Sequence, residues 1–257
     1  MKPKSLAKLY WLIRNIRGRK LLVGNIPIRI PYEMDHGWER SETEVALTFA
    51  EWIKANPSPL IIDLGASIGQ FSTLALFADR SATVLALDSS LGSLAKLSAM
   101  TRYAGGSRLE IVWGFIVDKT SADRSLATAV AATHERLKEG EKISARMISL
   151  GDKDVSGIDD IPRYTMDGLF ADLPRGDDRP ILVKCDIEAA EVLMLRGARE
   201  FIRRCRPTFF LSVHSDEMLA AFGHTKDDVR TLLQEYGYAY TVISHDHEEH
   251  WLCEPID

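Results

Sequence analysis

Two stretches of the chain, residues 63–69 and 184–214, hold side chains whose types and spacing are suited to ligand binding or catalysis. The first is the run Asp63-Leu-Gly-Ala-Ser-Ile-Gly69, which follows the apolar residues Leu60 to Ile62. An apolar run, an acid, two glycines and then apolar residues at helical spacing predict a strand, a tight turn and a helix. The N–H groups and the dipole at such a helix start favour a negatively charged ligand group. The run is therefore typical of a nucleotide-type site.

The glycine spacing narrows the class of cofactor. A dinucleotide fingerprint would place glycines at positions 65, 67 and 70, whereas this chain has Gly65, Ser67 and Gln70, with its second glycine at position 69. A pyrophosphate would meet the Ser67 side chain, so NAD or FAD fits poorly. The spacing D-x-G-x-x-x-G instead resembles motif I of class I S-adenosyl-L-methionine (SAM) methyltransferases, in which this loop lies against the amino-acid end of SAM. The alternative is a glycine-rich turn that holds no ligand.

Two further turns extend the predicted cofactor site. Asp88 ends a second buried strand (82–87), and an acid roughly 20 residues beyond a glycine loop can accept both ribose hydroxyls. A compatible alternative is that Asp88 caps the helix predicted over 91–103. Gly114 and Phe115 follow a third predicted strand and could flank an adenine. The predicted cofactor-binding residues are Asp63, Gly65, Ala66, Ser67, Gly69, Asp88, Ser89, Gly114 and Phe115.

A series of short motifs further along the chain resembles one family. The motifs are Lys184-Cys-Asp-Ile-Glu-Ala-Ala-Glu191, Leu195-Arg-Gly-Ala198, Arg206-Pro207 and His214. In this order they resemble the K-I-D-V-E-G-x-E, L-x-G-A, R-P and E-x-H pattern of the FkbM family of methyltransferases. The resemblance covers residues 60–214. It implies a SAM-dependent O-methyltransferase that acts on a hydroxyl of a sugar, polyketide or similar metabolite. The chain departs from the family pattern at Ser67, Asp88, Cys185, Ala190 and Ser212.

The predicted catalytic group is Asp186, Glu188 and His214. In open α/β sheets the ligand crevice lies beyond the carboxyl ends of the strands, where these side chains would emerge. A hydroxyl is a poor nucleophile and needs a base or a metal to take its proton as the new bond forms. We expect His214 to be the base, Asp186 to orient it or bind the substrate hydroxyl, and Glu188 to hold the cofactor's ammonium group or the substrate. Positions 184, 186 and 188 share one face of an extended chain, so Lys184 is expected to pair with an acid nearby.

The run His245-Asp-His-Glu-Glu-His250 is suited to metal binding by composition only. Its spacing fixes no ligand geometry, so we predict a solvated hairpin turn, with a turn that lines the substrate mouth as the alternative. Asp186 and His214 would need further ligands to hold a metal, and no metal residue is assigned. For Glu191, the last acid of the first motif, an ordinary charge on a helix surface is an alternative that stays open.

The alternation of strands and helices predicts an α/β protein with a parallel sheet and helices on both faces. The resemblance implies the Rossmann-like class I methyltransferase fold, a seven-stranded, mostly parallel sheet with an antiparallel last strand. We assign this domain to residues 41–257, with an insertion at 118–160 that shapes the substrate mouth. Residues 1–40 are predicted as a cap or lid of one basic amphipathic helix and short strands.

Residues 1–20 carry basic side chains and no acid, with apolar residues at helical spacing. Such a helix could lie on an anionic membrane surface or on a partner, or pack as a lid with a solvated basic face. These alternatives leave two functions open. One is methyl transfer to the hydroxyl of a small molecule or glycan. The other is a catalytically silent methyltransferase-like module that binds a membrane or a protein partner.

Composition limits the partners and the compartment. A net charge of −5 provides no overall basic field, so nucleic acid is not expected as the principal substrate. The three cysteines form no C-x-x-C motif, which argues against a disulfide framework and favours the cytoplasm. No apolar run approaches the ~20 residues that a membrane span needs. The sequence predicts no oligomeric state.

Overall fold

The structure, a computed structural model, describes residues 17–34, 43–120, 124–141, 161–173 and 179–256. Most of the predicted basic helix, residues 1–16, and the second half of the predicted insertion, residues 142–160, lie outside the described residues. Arg19 and Lys20, which we had placed at the end of the basic helix, instead begin a strand. No helix in the described ranges combines the length and the apolar character needed to cross a membrane.

Strands and helices alternate through most of the chain. The strands are β1 (Arg19–Val23), β2 (Ile26–Ile30), β3 (Leu60–Leu64), β4 (Thr83–Asp88), β5 (Leu109–Trp113), β6 (Phe115–Ile116), β7 (Arg163–Tyr164), β8 (Ile181–Cys185), β9 (Thr208–Val213), β10 (Tyr238–His245) and β11 (Glu249–Pro255). The helices are α1 (Thr43–Ala55), α2 (Gln70–Ala78), α3 (Leu91–Met100), α4 (Leu126–Glu141), α5 (Met166–Leu169), α6 (Glu191–Arg196), α7 (Arg199–Cys205), α8 (Asp216–Leu219) and α9 (Lys226–Glu235).

Seven of these strands form the central sheet, in the order β10-β11-β9-β8-β3-β4-β5. The pairs from β9 to β5 are parallel, whereas β11 runs antiparallel to both β9 and β10. The predicted fold class, a seven-stranded and mostly parallel sheet with an antiparallel last strand, is confirmed.

The central strands are buried on both faces, as parallel strands covered by helices require. Every residue of β3 and β8 is buried. Successive residues of a strand point to opposite faces, so Ile62 and Val183 join one apolar cluster, and Ile61 and Leu182 join another. The second cluster also holds the buried residues of the β1–β2 hairpin and of helices α1 and α2.

Helix α4 occupies the first half of the predicted insertion and packs against the sheet. Ala129 and Thr133 of α4 are buried, and the Thr133 hydroxyl accepts a hydrogen bond from the Trp113 N–H at the end of β5. This part of the insertion therefore covers the sheet. The predicted role of the insertion in a substrate mouth stays a prediction.

The strand order places a crevice at the carboxyl ends of β3 and β8. From β3 the chain moves outward through β4 to β5, then returns to the other side of β3 and continues through β8 to β9. Ligands of open α/β sheets bind where the strand order reverses in this way. The loops that open this crevice begin at Gly65 after β3 and at Asp186 after β8.

Candidate active site

Asp63, the first residue of the glycine motif, ties the end of β3 to the start of α2. Its side chain is buried, and Oδ2 accepts hydrogen bonds from the N–H of Ser72 at 3.0 Å and from its hydroxyl at 2.6 Å. Burial raises the pKa of Asp63, while the nearby Lys184 ammonium opposes the shift. These contacts make Asp63 a support of the loop, and its predicted contact with SAM stays a prediction.

The two glycines of the motif make room for the chain itself. Gly65 has a φ of +72°, and a Cβ there would lie 1.6 Å from the carbonyl oxygen of Asp186. Gly69 has a φ of +87°, and its Cβ would lie 2.6 Å from the Leu97 side chain. The atoms that leave no room for a side chain at these glycines belong to the loop after β8 and to helix α3. Between them, Ala66 is buried and Ser67 is exposed at the surface of the turn.

Asp88 joins the first turn to the second. Its Oδ2 accepts a hydrogen bond from the Ser67 N–H at 2.8 Å, and its Oδ1 accepts one from the Ser90 N–H at 2.7 Å. The cap of α3 is Ser90, whose hydroxyl accepts from the Ser93 N–H, so the suggestion that Asp88 caps this helix is wrong. Each carboxylate oxygen keeps a second lone pair, which leaves Asp88 able to accept from a ligand hydroxyl.

The predicted adenine segment lies beside Asp88 but is less open than expected. The Gly114 N–H donates to the Asp88 carbonyl at 3.0 Å, and the Trp113 indole donates to the Ser89 carbonyl at 2.8 Å. A Cβ at Gly114 would lie 2.4 Å from the Tyr164 ring, so packing against this ring explains the glycine. Phe115 belongs to strand β6 rather than to a free loop.

These contacts bring the predicted cofactor residues together at the carboxyl ends of β3, β4 and β5. The turn is too tight for a Cβ at Gly65 yet presents Ser67 to solvent next to the half-buried Asp88. A cleft of about 490 Å³ lies between helix α4 and the ends of β5 and β7, and none of the predicted cofactor residues lines it; its lining residues are Trp113, Arg124, Ala132, Thr133, Glu135, Arg136, Pro162 and Tyr164. The exposed turn at Ser67 and the acceptor oxygens of Asp88 fit the amino-acid and ribose parts of SAM.

Asp186 and Glu188 follow β8, but the chain between them does not stay extended. Strand β8 ends at Cys185, and Glu188 and Ala189 have φ values of +53° and +71°. The expectation that positions 184, 186 and 188 share one face of a continuous strand is therefore wrong beyond Asp186. Lys184 does pair with an acid, because its ammonium lies 3.0 Å from Asp186 Oδ2. Burial opposes ionisation of Asp186, but this ammonium and neighbouring imidazoles hold its pKa below the ordinary value.

His214 follows β9 and lies at the centre of four carboxyl groups. Its Nδ1 is 2.9 Å from Glu191 Oε1. Its Nε2 is 2.9 Å from Glu248 Oε2, 3.6 Å from Glu188 Oε2 and 4.0 Å from Asp186 Oδ1. Burial lowers the pKa of His214, but the adjacent carboxylates of Glu191 and Glu248 outweigh it and raise the pKa to about 10. The three predicted catalytic residues thus lie together, with two further glutamates.

Glu191 is the first of these two additional residues. The alternative of an ordinary surface charge is wrong, because Glu191 is 0% exposed, and it also accepts a hydrogen bond from the Ala189 N–H at 3.2 Å. Burial raises its pKa, and the contact with His214 opposes the shift. Its place as the last acid of the K-x-D-x-E-x-x-E motif could have identified it. Glu191 fixes the orientation of the imidazole and directs Nε2 towards the crevice.

Glu248 comes from the turn between β10 and β11. Strand β11 pairs His250 with Ser212 and Glu249 with Val213, so the turn residue that precedes them reaches His214. Glu248 and His250 are buried, and the prediction of a fully solvated turn is wrong for both, although Asp246 and His247 are exposed. The alternative we had left open, a turn that lines the site, agrees with their burial. In the sequence, only the acid-rich composition of this run indicated that Glu248 could belong to the site.

Comparison with known proteins gave the following matches. A family model described as the methyltransferase FkbM domain matches residues 63–240. An FkbM methyltransferase from Methylobacillus flagellatus KT is similar in structure, with a TM-score of 0.47 and 16% identity over 97% of this chain and 59% of that protein.

Two other similar structures come from different methyltransferases. A precorrin-6y C5,15-methyltransferase from Geobacter metallireducens GS-15 has a TM-score of 0.44 and 12% identity, over 83% of this chain and 89% of its own. A fibrillarin from Aeropyrum pernix, in complex with natively bound SAM, has a TM-score of 0.43 and 12% identity. The match covers 81% of this chain and 73% of the fibrillarin. No curated protein gave a significant match.

The family match spans more than half of the chain, and it includes the glycine turn after β3 and the residues around His214. The fold, with its strand order and its antiparallel β11, is consistent with this match. The chain therefore belongs to the FkbM family of SAM-dependent methyltransferases.

Proposed function

We propose that this methyltransferase transfers the methyl group to a hydroxyl oxygen of a small molecule or glycan. The observation that supports this proposal is the group of Asp186, Glu188 and Glu248 within 4.0 Å of the Nε2 atom of His214, on the crevice that also holds the glycine turn. A hydroxyl must lose its proton as it attacks, because its neutral oxygen is a weak nucleophile. Carboxylates close to the reacting oxygen meet this need.

The cofactor site is proposed from the residues that the two turns bring together. Gly65, Ala66, Ser67 and Gly69 would lie against the amino-acid end of SAM, and Asp88 would accept the ribose hydroxyls. Ser89, Gly114 and Phe115 would lie along the adenine. When bound, SAM supplies an electrophilic methyl carbon on a sulfonium, and the cofactor leaves as the neutral thioether S-adenosylhomocysteine.

The residues of the second loop would handle the acceptor. Asp186, held by Lys184 through one oxygen, keeps Oδ1 directed towards the crevice for a hydrogen bond from the acceptor hydroxyl. Glu188 has a side chain that is 82% exposed, so it can take the hydroxyl proton and release it to water. Once the proton has been taken, a lone pair of the acceptor oxygen forms the new bond to the methyl carbon.

His214 has a different proposed role from the one that its position in the sequence suggested. With Glu191 at one ring nitrogen and Glu248 at the other, neither nitrogen of the imidazole is open to an acceptor hydroxyl, so His214 is not placed to take its proton. We therefore propose Glu188 as the proton acceptor and His214 as the group that positions the surrounding carboxylates.

Two measurements test the proposal in sequence. Calorimetric titration with S-adenosylhomocysteine is expected to show micromolar binding, with NAD as the negative control. Transfer of a radiolabelled methyl group is then measured against panels of hydroxylated, amine and thiol acceptors, and labelling confined to the hydroxylated panel is expected. Labelling of amines alone would overturn O-methylation. A folded protein that binds no S-adenosylhomocysteine would point to the silent module instead.

A further inference from the structure

Three side chains at the crevice have the spacing of metal ligands. One ligand atom from each of Asp186, His214 and Glu248 can be chosen so that all three lie within 4.8 Å of one another. The Nε2 of His214 is 2.9 Å from Glu248 Oε2 and 4.0 Å from Asp186 Oδ1. Bonds of about 2.0–2.1 Å to one ion place ligand atoms roughly 3–4 Å apart, so small side-chain adjustments would bring the three atoms to a common centre.

A second observation concerns the hydrogen bonding of Glu248. Its side chain is 2% exposed, yet among the described residues its Oε2 atom makes no hydrogen bond of acceptable geometry. The atom faces Nε2 of His214 at close range without the alignment of a hydrogen bond, as two neighbouring ligands of one ion do. A buried carboxylate oxygen without a hydrogen bond is costly, and native structures rarely leave one unsatisfied.

The groups behind these ligands are arranged to hold them. Histidines that bind metals usually donate their other ring N–H to a carboxylate, and His214 Nδ1 is 2.9 Å from the buried Glu191. Lys184 similarly holds Oδ2 of Asp186 at 3.0 Å, which leaves Oδ1 on the side of His214. Both supports fix the atoms that would bind the ion.

The charge balance of the cluster also favours a cation. Glu191 and Glu248 are buried, and Asp186 and Glu188 lie within 4.0 Å of the same imidazole. Buried charges are stable when they are paired or coordinate a metal. Lys184 offsets the charge of Asp186, and a divalent ion would offset the remaining carboxylates.

We propose that Asp186, His214 and Glu248 bind one divalent cation of the Mg²⁺ and Mn²⁺ class. Carboxylate ligands favour these ions, and one imidazole is compatible with Mn²⁺. Its catalytic role rests on the proposed O-methyl transfer: the ion lowers the pKa of the acceptor hydroxyl, so that Glu188 can take the proton. The binding site itself does not depend on that reaction.

The direct test is Mn²⁺ binding by the full chain without cofactor. Protein treated with a chelator is titrated with MnCl₂, and free Mn²⁺ is followed by its electron paramagnetic resonance. One bound ion per chain is expected, and Glu248→Gln should weaken its binding by at least about tenfold. The control is Glu254→Gln on strand β11, because Glu254 is exposed and outside the site. Wild-type protein that binds no Mn²⁺, or a Glu248→Gln variant that binds it equally well, overturns the site.

Two further measurements separate the alternatives. Affinity for S-adenosylhomocysteine and the thermal melting temperature show whether Glu248→Gln is folded; if it is not, Asp186→Asn at the half-buried edge of the site replaces it as the deciding variant. Methyl transfer to hydroxyls that is unaffected by a chelator would overturn the catalytic role of the ion and leave O-methylation intact. Site-dependent Mn²⁺ binding without any methyl transfer to hydroxyls would support the site and contradict the proposed function.

Discussion

His214 and Glu248 approach each other from neighbouring antiparallel strands, with 2.9 Å between Nε2 and Oε2. His214 directly follows β9, and Glu248 directly precedes β11, so the pairing of these strands brings the two side chains together at one edge of the sheet. The turn that leads into the antiparallel β11 thus contributes a residue to the site.

The support from Glu191 to His214 predicts the effect of Glu191→Gln. The amide keeps the size of the buried side chain but removes the charge that holds the Nδ1 proton. We expect affinity for Mn²⁺ and kcat to fall by roughly 10–100-fold, as for other groups behind metal ligands, while affinity for S-adenosylhomocysteine stays the same. Glu200→Gln is the control, since Glu200 is exposed and forms an ion pair with Arg203 at the surface. Unchanged Mn²⁺ affinity would remove Glu191 from this role.

Gly65 predicts a stability effect that is independent of any ligand. In Gly65→Ala the new Cβ meets the Asp186 carbonyl, and alanine must adopt a φ of +72°. Overpacking and left-handed backbone each cost roughly 1–3 kcal/mol, so we expect the free energy of unfolding to fall by about 2–6 kcal/mol. Urea denaturation measures this change against Gly106→Ala, where a Cβ would have no atom within 4 Å. Equal stability of the two variants would contradict the close approach of the loops after β3 and β8.

Asp88 is expected to affect both the cofactor site and the turn. In Asp88→Asn a single acceptor oxygen replaces two, so one of the hydrogen bonds from Ser67 and Ser90 is lost, together with the charge. Hydrogen bonds to charged groups contribute about 1.5–3 kcal/mol, so losing the one that Asp88 would accept from a ribose hydroxyl corresponds to at least about tenfold weaker binding of S-adenosylhomocysteine. Calorimetry on this variant and on the exposed control Asp172→Asn tests the assignment. Wild-type affinity in Asp88→Asn would exclude Asp88 from the ribose site.

The cysteines are predicted to differ in reactivity. Burial raises the pKa of the Cys185 and Cys253 thiols, whereas Cys205 is partly exposed. Thiolates are the reactive form, and a raised pKa leaves little thiolate near pH 8. We expect iodoacetamide to modify Cys205 first in the native protein and all three in urea, as read by mass spectrometry of the peptides. Rapid native labelling of Cys185 would show that the end of β8 opens to solvent.

Much of the fold followed from local patterns. Apolar runs, the acid and the glycines from Leu60 to Gly69 predicted strand β3, its turn and helix α2, because each of these depends on neighbouring residues. The same reasoning located β4, β5, β8 and β9, and their alternation with helices indicated the parallel sheet. The motif residues Asp186 and His214 were also assigned to one crevice, because parallel strands present their carboxyl ends at a common edge.

The environment of those residues could not be obtained in this way. The burial of Glu191 depends on how α6 lies against β9, and the burial of Glu248 depends on the turn between β10 and β11. Neither arrangement is encoded in the few residues around each acid. The carboxylates that occupy both ring nitrogens of His214 and raise its pKa were therefore not apparent from the sequence.

By itself, the sequence determined the fold class, the FkbM family and the loops that carry the site, since local periodicity and motif spacing are properties of short segments. Only the tertiary structure decided which acids surround His214 and which of them are buried. It also decided which neighbouring atoms leave no room for a side chain at Gly65 and Gly114. Those features arise from contacts between segments that are distant along the chain, and strand pairing and helix packing are what bring such segments together.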